Sequence, residues 1–183
     1  MKLLSWTIRG LNNPQKQYAI KHVIAQEKID CVLIQETKMS SSNFDKIAGY
    51  IWPGAGYLHR DSDGASRGIA TMWNLNSMKG YEFWKEKNFI ITHFQTNSHC
   101  WKLINIYAPN SRFGRKDMYE NLISITETML EEQWMFMGDF NTPLYHSEKW
   151  GGNREFQESL QDLGEFMRKL DFMDVEMRGN PYT

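Results

Sequence analysis

Apolar and polar positions alternate over residues 2–8 (KLLSWTI), which predicts a strand. Asn13-Pro14 supplies an N-cap and a first-turn proline, and Ala19, Ile20, Val23 and Ile24 put one apolar stripe on the helix that follows. Cys31, Val32, Leu33 and Ile34 form an unbroken apolar run, a buried strand ending on Gln35-Glu36-Thr37-Lys38. Strand, helix and strand within about 35 residues predict a βα unit with a crossover. Residues 40–48 predict a short capped helix, 50–59 an aromatic extended segment, 61–67 (DSDGASR) a polar loop and 68–73 a strand. Residues 89–95 and 101–107 predict a hairpin closed through 96–100, and Ala108-Pro109-Asn110 ends its second strand, where proline stops the ladder. Met118, Leu122, Ile125 and Met129 share one face of a helix over residues 115–131.

Trp134, Met135, Phe136 and Met137 then run without a break into Gly138. The run is short, continuous and turn-bounded, and reads as a strand buried on both faces, with the chain turning at Gly138. Alternation would point Asp139 and Asn141 the same way from the strand's end. Phe156, Leu160, Leu163 and Met167 mark another helix, and residues 172–175 a short strand. No repeat, low-complexity tract or linker interrupts the pattern. The predicted fold is α/β: two packed mixed β-sheets flanked by helices, a four-layer α/β/β/α sandwich, as one domain over residues 1–183.

Composition adds limits. A 183-residue chain with 41% hydrophobic and 23% charged residues is long enough for a real core and is not disordered. Cys31 and Cys100 lie in separate apolar runs with no CxxC partner, so no disulfide framework is read and a reducing compartment fits. No transmembrane span is present, and the N-terminus lacks the long apolar core of a secretion signal. Net charge is −1, but residues 1–120 hold 16 Lys+Arg against 10 Asp+Glu, and residues 121–183 hold 5 against 12. A basic front would permit one phosphate-binding face; solvated helix charge explains the split equally well.

The candidate chemistry lies where strands end. Trp6-Thr7 closes the first, Gln35-Glu36 the second, Tyr107 the hairpin strand, and Asp139-Phe140-Asn141 the last. Ligands of α/β sheets bind outside strand ends, so these groups are candidates for one rim. A carboxylate beside an amide can hold water or a metal ion and donate to an anion. Each residue also has a plain structural reading. Glu36 can pair with Lys38, Tyr107 can be a core aromatic, and Asn110, Asp139 and Asn141 can serve turns. The five histidines fall at no metal-ligand spacing and read as structural or surface residues.

Taken in order, Leu4-Ser5-Trp6-Thr7-Ile8-Arg9-Gly10-Leu11-Asn12, Gln35-Glu36-Thr37-Lys38, Gly68-Ile69-Ala70, Ile106-Tyr107-Ala108-Pro109-Asn110 and Gly138-Asp139-Phe140-Asn141 form a series. The series resembles the endonuclease/exonuclease/phosphatase superfamily. Within it, the likeness is to the N-terminal endonuclease domain of non-LTR (LINE-type) retrotransposon polyproteins. The resemblance implies a magnesium-dependent phosphodiesterase, with Mn2+ as an alternative, that nicks duplex DNA to leave a 3′-hydroxyl for a reverse transcriptase of the same polyprotein. It implies that Glu36 binds the metal, Asp139 orients or deprotonates the attacking water, and Asn141 and Tyr107 donate to the phosphate. Arg9, Arg67, Asn110 and Thr183 are its candidates for DNA contacts. A monomer is expected, nuclear if it acts on genomic DNA, and neither secreted nor bound to membrane.

Two departures from the family's pattern shape the expectation. Thr7 stands where that pattern has asparagine, and its shorter side chain with one donor would hold Glu36 less well. The family's later motifs, an aspartate and a final Ser-Asp-His, lie beyond Thr183. The expectation is therefore an endonuclease domain incomplete at the C-terminus, its last strands missing, that is weak or inactive over these 183 residues, with uncovered apolar surface at a sheet edge. An abasic-site repair nuclease, a small-molecule or lipid phosphatase of the same superfamily, and a non-catalytic remnant are the competing readings.

Overall fold

The computed structural model describes residues 1–63, 66–129, 133–145 and 154–175, with backbone alone at 63, 66, 67 and 154–156. The chain divides into two units, Met1–Tyr107 with Glu132–Asp139, and Ala108–Glu131 with Phe140–Thr183. The first unit holds β1 (Leu3–Thr7), α1 (Pro14–Glu27), β2 (Cys31–Gln35), α2 (Ser41–Ile51), β3 (Gly56–Asp63) and β4 (Ser66–Trp73). It continues with β5 (Lys79–Lys85), β6 (Phe89–Gln95), β7 (Cys100–Tyr107) and β8 (Trp134–Asp139). These strands make two four-stranded mixed sheets, ordered β1-β2-β4-β3 and β5-β6-β7-β8. The β1–β2 and β7–β8 pairs are parallel; the remaining pairs are antiparallel. The α/β class with two mixed sheets is as the sequence predicts, and β1-α1-β2 is the expected crossover unit.

The period of two sorts each strand's residues between layers. In β2, Val32 and Ile34 pack with Ile20 and Ile24 of α1 and Phe44 and Ile51 of α2. Cys31 and Leu33 face the other way, onto Phe94, Trp101 and Leu103 of the second sheet. Burying each large apolar side chain contributes roughly 1.5–3 kcal/mol, so this double-sided strand anchors the unit. Asn13 caps α1 by accepting from the Gln15 amide at 2.8 Å, and Pro14 occupies its first turn, as read from the sequence. Both cysteines are free thiols, and burial pushes the Cys31 thiol well above its usual range.

The inter-sheet layer changes character along its strands. Leu3, Ser5 and Thr7 alternate toward it in β1; Cys31, Leu33 and Gln35 in β2; Trp101, Leu103, Asn105 and Tyr107 in β7; Met135, Met137 and Asp139 in β8. Each series begins apolar and ends polar. The polar ends cannot fill a dry core, so they hydrogen-bond to one another.

In the second unit, α3 (Arg112–Glu127) packs on α4 (Arg154–Lys169). Tyr119 stacks on Phe166 with ring centroids 4.7 Å apart. Arg112 clamps Asp162 through Nε at 2.5 Å and Nη2 at 3.0 Å, and its Nη1 pairs with Glu158. That guanidinium holds the Asp162 carboxyl below the usual carboxylate range.

Several expectations need correction. Residues 50 and 51 belong to α2, and β3 starts only at Gly56. The expected polar loop over 61–67 is mostly ladder, because β3 and β4 pair out to Asp63 and Ser66. Strand β5 was not foreseen: its run Lys79–Lys85 interleaves charge with aromatics and carries a bulge between Glu82 and Trp84, which blurs the alternation. Residues 172–175 form no strand. Strand β8 is half-buried along its whole length rather than fully buried, and among the described strands it lies at a sheet edge. No helix among the described residues is long and apolar enough to cross a membrane.

Candidate active site

Four of the residues singled out by the sequence converge in the first unit, at the polar ends of β1, β2, β7 and β8. Tyr107 and Asp139 are register partners across β7 and β8. The Thr7 hydroxyl donates to Asp139 Oδ2 at 3.0 Å. Thr7 is in turn the register partner of Gln35, whose chain neighbour is Glu36. The Tyr107 hydroxyl donates to Glu36 Oε1 at 2.8 Å, which closes the ring. Two carboxylates, a phenol and a threonine from four strands therefore share one rim.

Buried amides fix this rim from below. Gln35 and Asn105 are fully buried, and Gln35 Nε2 donates to Asn105 Oδ1 at 2.7 Å across the inter-sheet layer. Asn105 Nδ2 donates onward to the Ala70 carbonyl at 2.8 Å and to Thr71 Oγ1 at 3.1 Å. Gln35 Oε1 accepts from Ser5 at 3.3 Å. Asn105 was missed in the sequence reading. Its signal was present: an amide inside the apolar strand WKLINIY, at the alternation position shared with Leu103 and Tyr107.

Two sequence readings change in detail. Thr7 serves Asp139 rather than Glu36, because its short hydroxyl has one proton and the Asp139 carboxylate stands 3.0 Å away. The Tyr107 hydroxyl likewise spends its proton on Glu36 in this state. Gly138 is no turn: it lies within β8 at φ 143°. A Cβ there would fall 2.1 Å from the Ile106 carbonyl oxygen, so glycine lets β8 approach β7 closely beside Asp139.

Glu36 itself adopts a left-handed conformation at φ 54°, as does Lys38. Lys38 Nζ lies 3.6 Å from Glu36 Oε2, so the side of the carboxylate away from Tyr107 already faces a cation. Among the described residues no three His, Cys, Asp or Glu gather as a metal cage. Magnesium does not need one: it keeps several waters and takes one or two carboxylates plus substrate oxygens. Glu36, with Asp139 in the same ring, fits that demand.

The remaining sequence candidates are placed as follows. Arg9 is exposed on the left-handed turn after β1. Asn110 and Asn141 belong to the second unit. Asn141 lies beyond the end of β8 at φ 50°, so strand alternation does not carry over from Asp139 to it. Its Nδ2 donates to the Ala108 carbonyl at 2.5 Å, and Arg115 Nη1 donates to the Asn110 carbonyl at 2.6 Å. The Arg67 side chain and Thr183 lie outside the described residues.

No protein-family model matches the chain. Solved structures do. A 3′ phosphatase from Neisseria bound to a product DNA hairpin superposes with a TM-score of 0.70 at 14% identity, over 92% of this chain and 71% of its own. An AP endonuclease from Leishmania major gives 0.68 at 16% identity, over 91% of this chain and 65% of its own. The endonuclease domain of TRAS1, a telomere-specific non-LTR retrotransposon, gives 0.67 at 14% identity, over 90% and 71%. The chain thus spans about two thirds of the length of these structures. Its fold is that of these structures.

Proposed function

We propose that the chain carries the magnesium-dependent phosphodiesterase site of a LINE-type DNA-nicking endonuclease, with weak activity over these 183 residues. The observation that supports it is the closed ring of Glu36, Tyr107, Asp139 and Thr7 on one strand-end rim. Glu36 is the proposed metal ligand, for Mg2+ or alternatively Mn2+. A divalent ion held there would supply neutralisation of the charge developing on a scissile phosphate. Asp139, held by Thr7 through Oδ2, is the proposed base that orients a water and takes its proton. Tyr107 fixes the Glu36 carboxylate in this state, and its proposed role at the phosphate would require its one proton to turn from Glu36 to a phosphate oxygen. Asn141 and Asn110 stay candidates for phosphate and DNA-backbone contacts on the sequence resemblance alone. Weak activity follows from Thr7, whose single donor is committed to Asp139 where an amide would offer two.

Duplex DNA is the proposed partner, and the 3′-hydroxyl left by a nick would prime a reverse transcriptase. The similarity to an AP endonuclease structure favours a second reading, cleavage at abasic sites. Nicking of supercoiled plasmid and of a matched pair of duplexes, intact and abasic, separates the two. The expected result is slow Mg2+-dependent nicking of intact DNA that Glu36→Ala abolishes. Cleavage confined to the abasic duplex selects the second reading. Cleavage that survives Glu36→Ala, or none on any substrate, overturns the proposal.

A further inference from the structure

The residue that aims Glu36 is held from an unexpected direction. Glu36 and Lys38 both sit in the left-handed region, at φ 54°, on either side of Thr37. Each such non-glycine residue is strained, and persists only where its surroundings over-determine it. Backbone bonds hold one side: Gly10 N donates to the Glu36 carbonyl at 2.7 Å and Leu11 N to that of Thr37 at 2.8 Å. Asn12 Nδ2 reaches the Lys38 carbonyl at 3.2 Å, and Thr37 N donates to the Gly68 carbonyl at 3.0 Å. Among the described residues a side-chain anchor for Thr37 is His59: the buried Thr37 hydroxyl lies 3.1 Å from His59 Nε2.

The direction of that bond can be worked out. The Asp61 carboxylate only accepts, so the Ser41 hydroxyl beside it donates its proton there. Ser41 Oγ, 3.2 Å from His59 Nδ1, is then left to accept from Nδ1–H. The neutral imidazole therefore presents its Nε2 lone pair to Thr37, which donates. Burial favours this neutral form, pushing the His59 pKa down to about 4. Phe44 stacks on the ring at 4.5 Å and fixes its plane. Gly68 leaves the room: a Cβ there would fall 2.2 Å from Thr37 Oγ1.

We propose that His59 is a positioning residue for Glu36, acting through the Thr37 hydroxyl to hold the left-handed turn that presents the carboxylate. The inference rests on the metal-site reading of Glu36 for its consequence, but not for its geometry. Thr37→Val keeps shape and removes one hydroxyl; His59→Leu removes the acceptor; Thr37→Ser and His59→Gln restore a donor and an acceptor. Two readouts are taken on variants whose amide NMR spectra show the native fold. In the metal-free protein, Tyr107→Phe should move the side-chain carboxyl 13C resonance of Glu36, since it removes the donor at 2.8 Å. In Thr37→Val and His59→Leu backgrounds the same change should move it little, and in Thr37→Ser and His59→Gln as in the wild type. An equal response in every background overturns the inference, as does no response in the wild type. For Mg2+ itself, Thr37→Val and His59→Leu should weaken binding ~10–100-fold, the usual effect of losing a metal ligand's supporting partner. A wild type that binds no Mg2+ defeats the metal-site reading while the 13C response still decides the role of His59. Wild-type Mg2+ affinity in Thr37→Val and His59→Leu overturns the inference and leaves the metal site standing.

Discussion

At the scale of single residues, the site depends on how many protons each side chain can give. Thr7 has one, and Asp139 takes it. Thr7→Val should therefore slow Mg2+-dependent nicking by ~10-fold with little change in KM, because a positioned carboxylate loses a partner while substrate contacts stay. Thr7→Asn should raise the rate above wild type, since an amide can donate twice. Steady-state kinetics on an intact duplex reads both, and a neutral Thr7→Val would separate Thr7 from the chemistry. Chemical identity made these residues legible in the sequence: carboxylates, a phenol and a hydroxyl at predicted strand ends. Partnerships were less legible. That Thr7 gives its proton to Asp139 was not legible, because the choice between two carboxylates depends on sheet-to-sheet packing, which alternation within a strand does not encode. His59 read as structural for the same reason: its role depends on Thr37, Ser41 and Asp61, which lie at no diagnostic spacing.

At the scale of elements, the pattern gave the parallel β1–β2 unit and the β6–β7 hairpin, whose apolar runs are clean. It missed β5, where a bulge and mixed charge hide the period, and it over-read residues 172–175. It also took the apolar run of β8 for full burial, although any strand at a sheet edge keeps one side unpaired. One bridge between the two sheets is the pair Gln35–Asn105, at 2.7 Å and fully buried. Asn105→Ala should cost roughly 2–4 kcal/mol, because it strands buried donors and acceptors on Gln35 and Ala70 and opens a gap. The double change Gln35→Leu with Asn105→Leu should cost less than the sum of the two single changes, since it leaves fewer orphaned groups. Urea denaturation of the four proteins measures this coupling. Additive losses would show that the two amides stabilise the sheets independently.

At the scale of the whole molecule, stability and metal binding are the two properties that the parts jointly determine. An unfolded chain protonates its imidazoles near pH 6.5, whereas the folded one keeps His59 neutral to about pH 4. Between these values the unfolded state binds the extra proton, so the contribution of His59 is full above pH 6.5 and declines as pH falls toward 4. Ser41 and Arg112 hold Asp61 and Asp162 below the usual carboxylate range. Their contributions persist above the unfolded value of 3.8 and are lost only further down. The melting temperature should therefore fall between pH 7 and pH 5, and His59→Gln should flatten that part of the profile. Whether the strand-end ring is a metal site is decided most directly by titrating Mg2+ into the folded chain by calorimetry. One site is expected in the wild type, lost in Glu36→Gln while the amide NMR spectrum stays native. Binding that persists unchanged in Glu36→Gln, or no binding in the wild type, would contradict the metal-site reading.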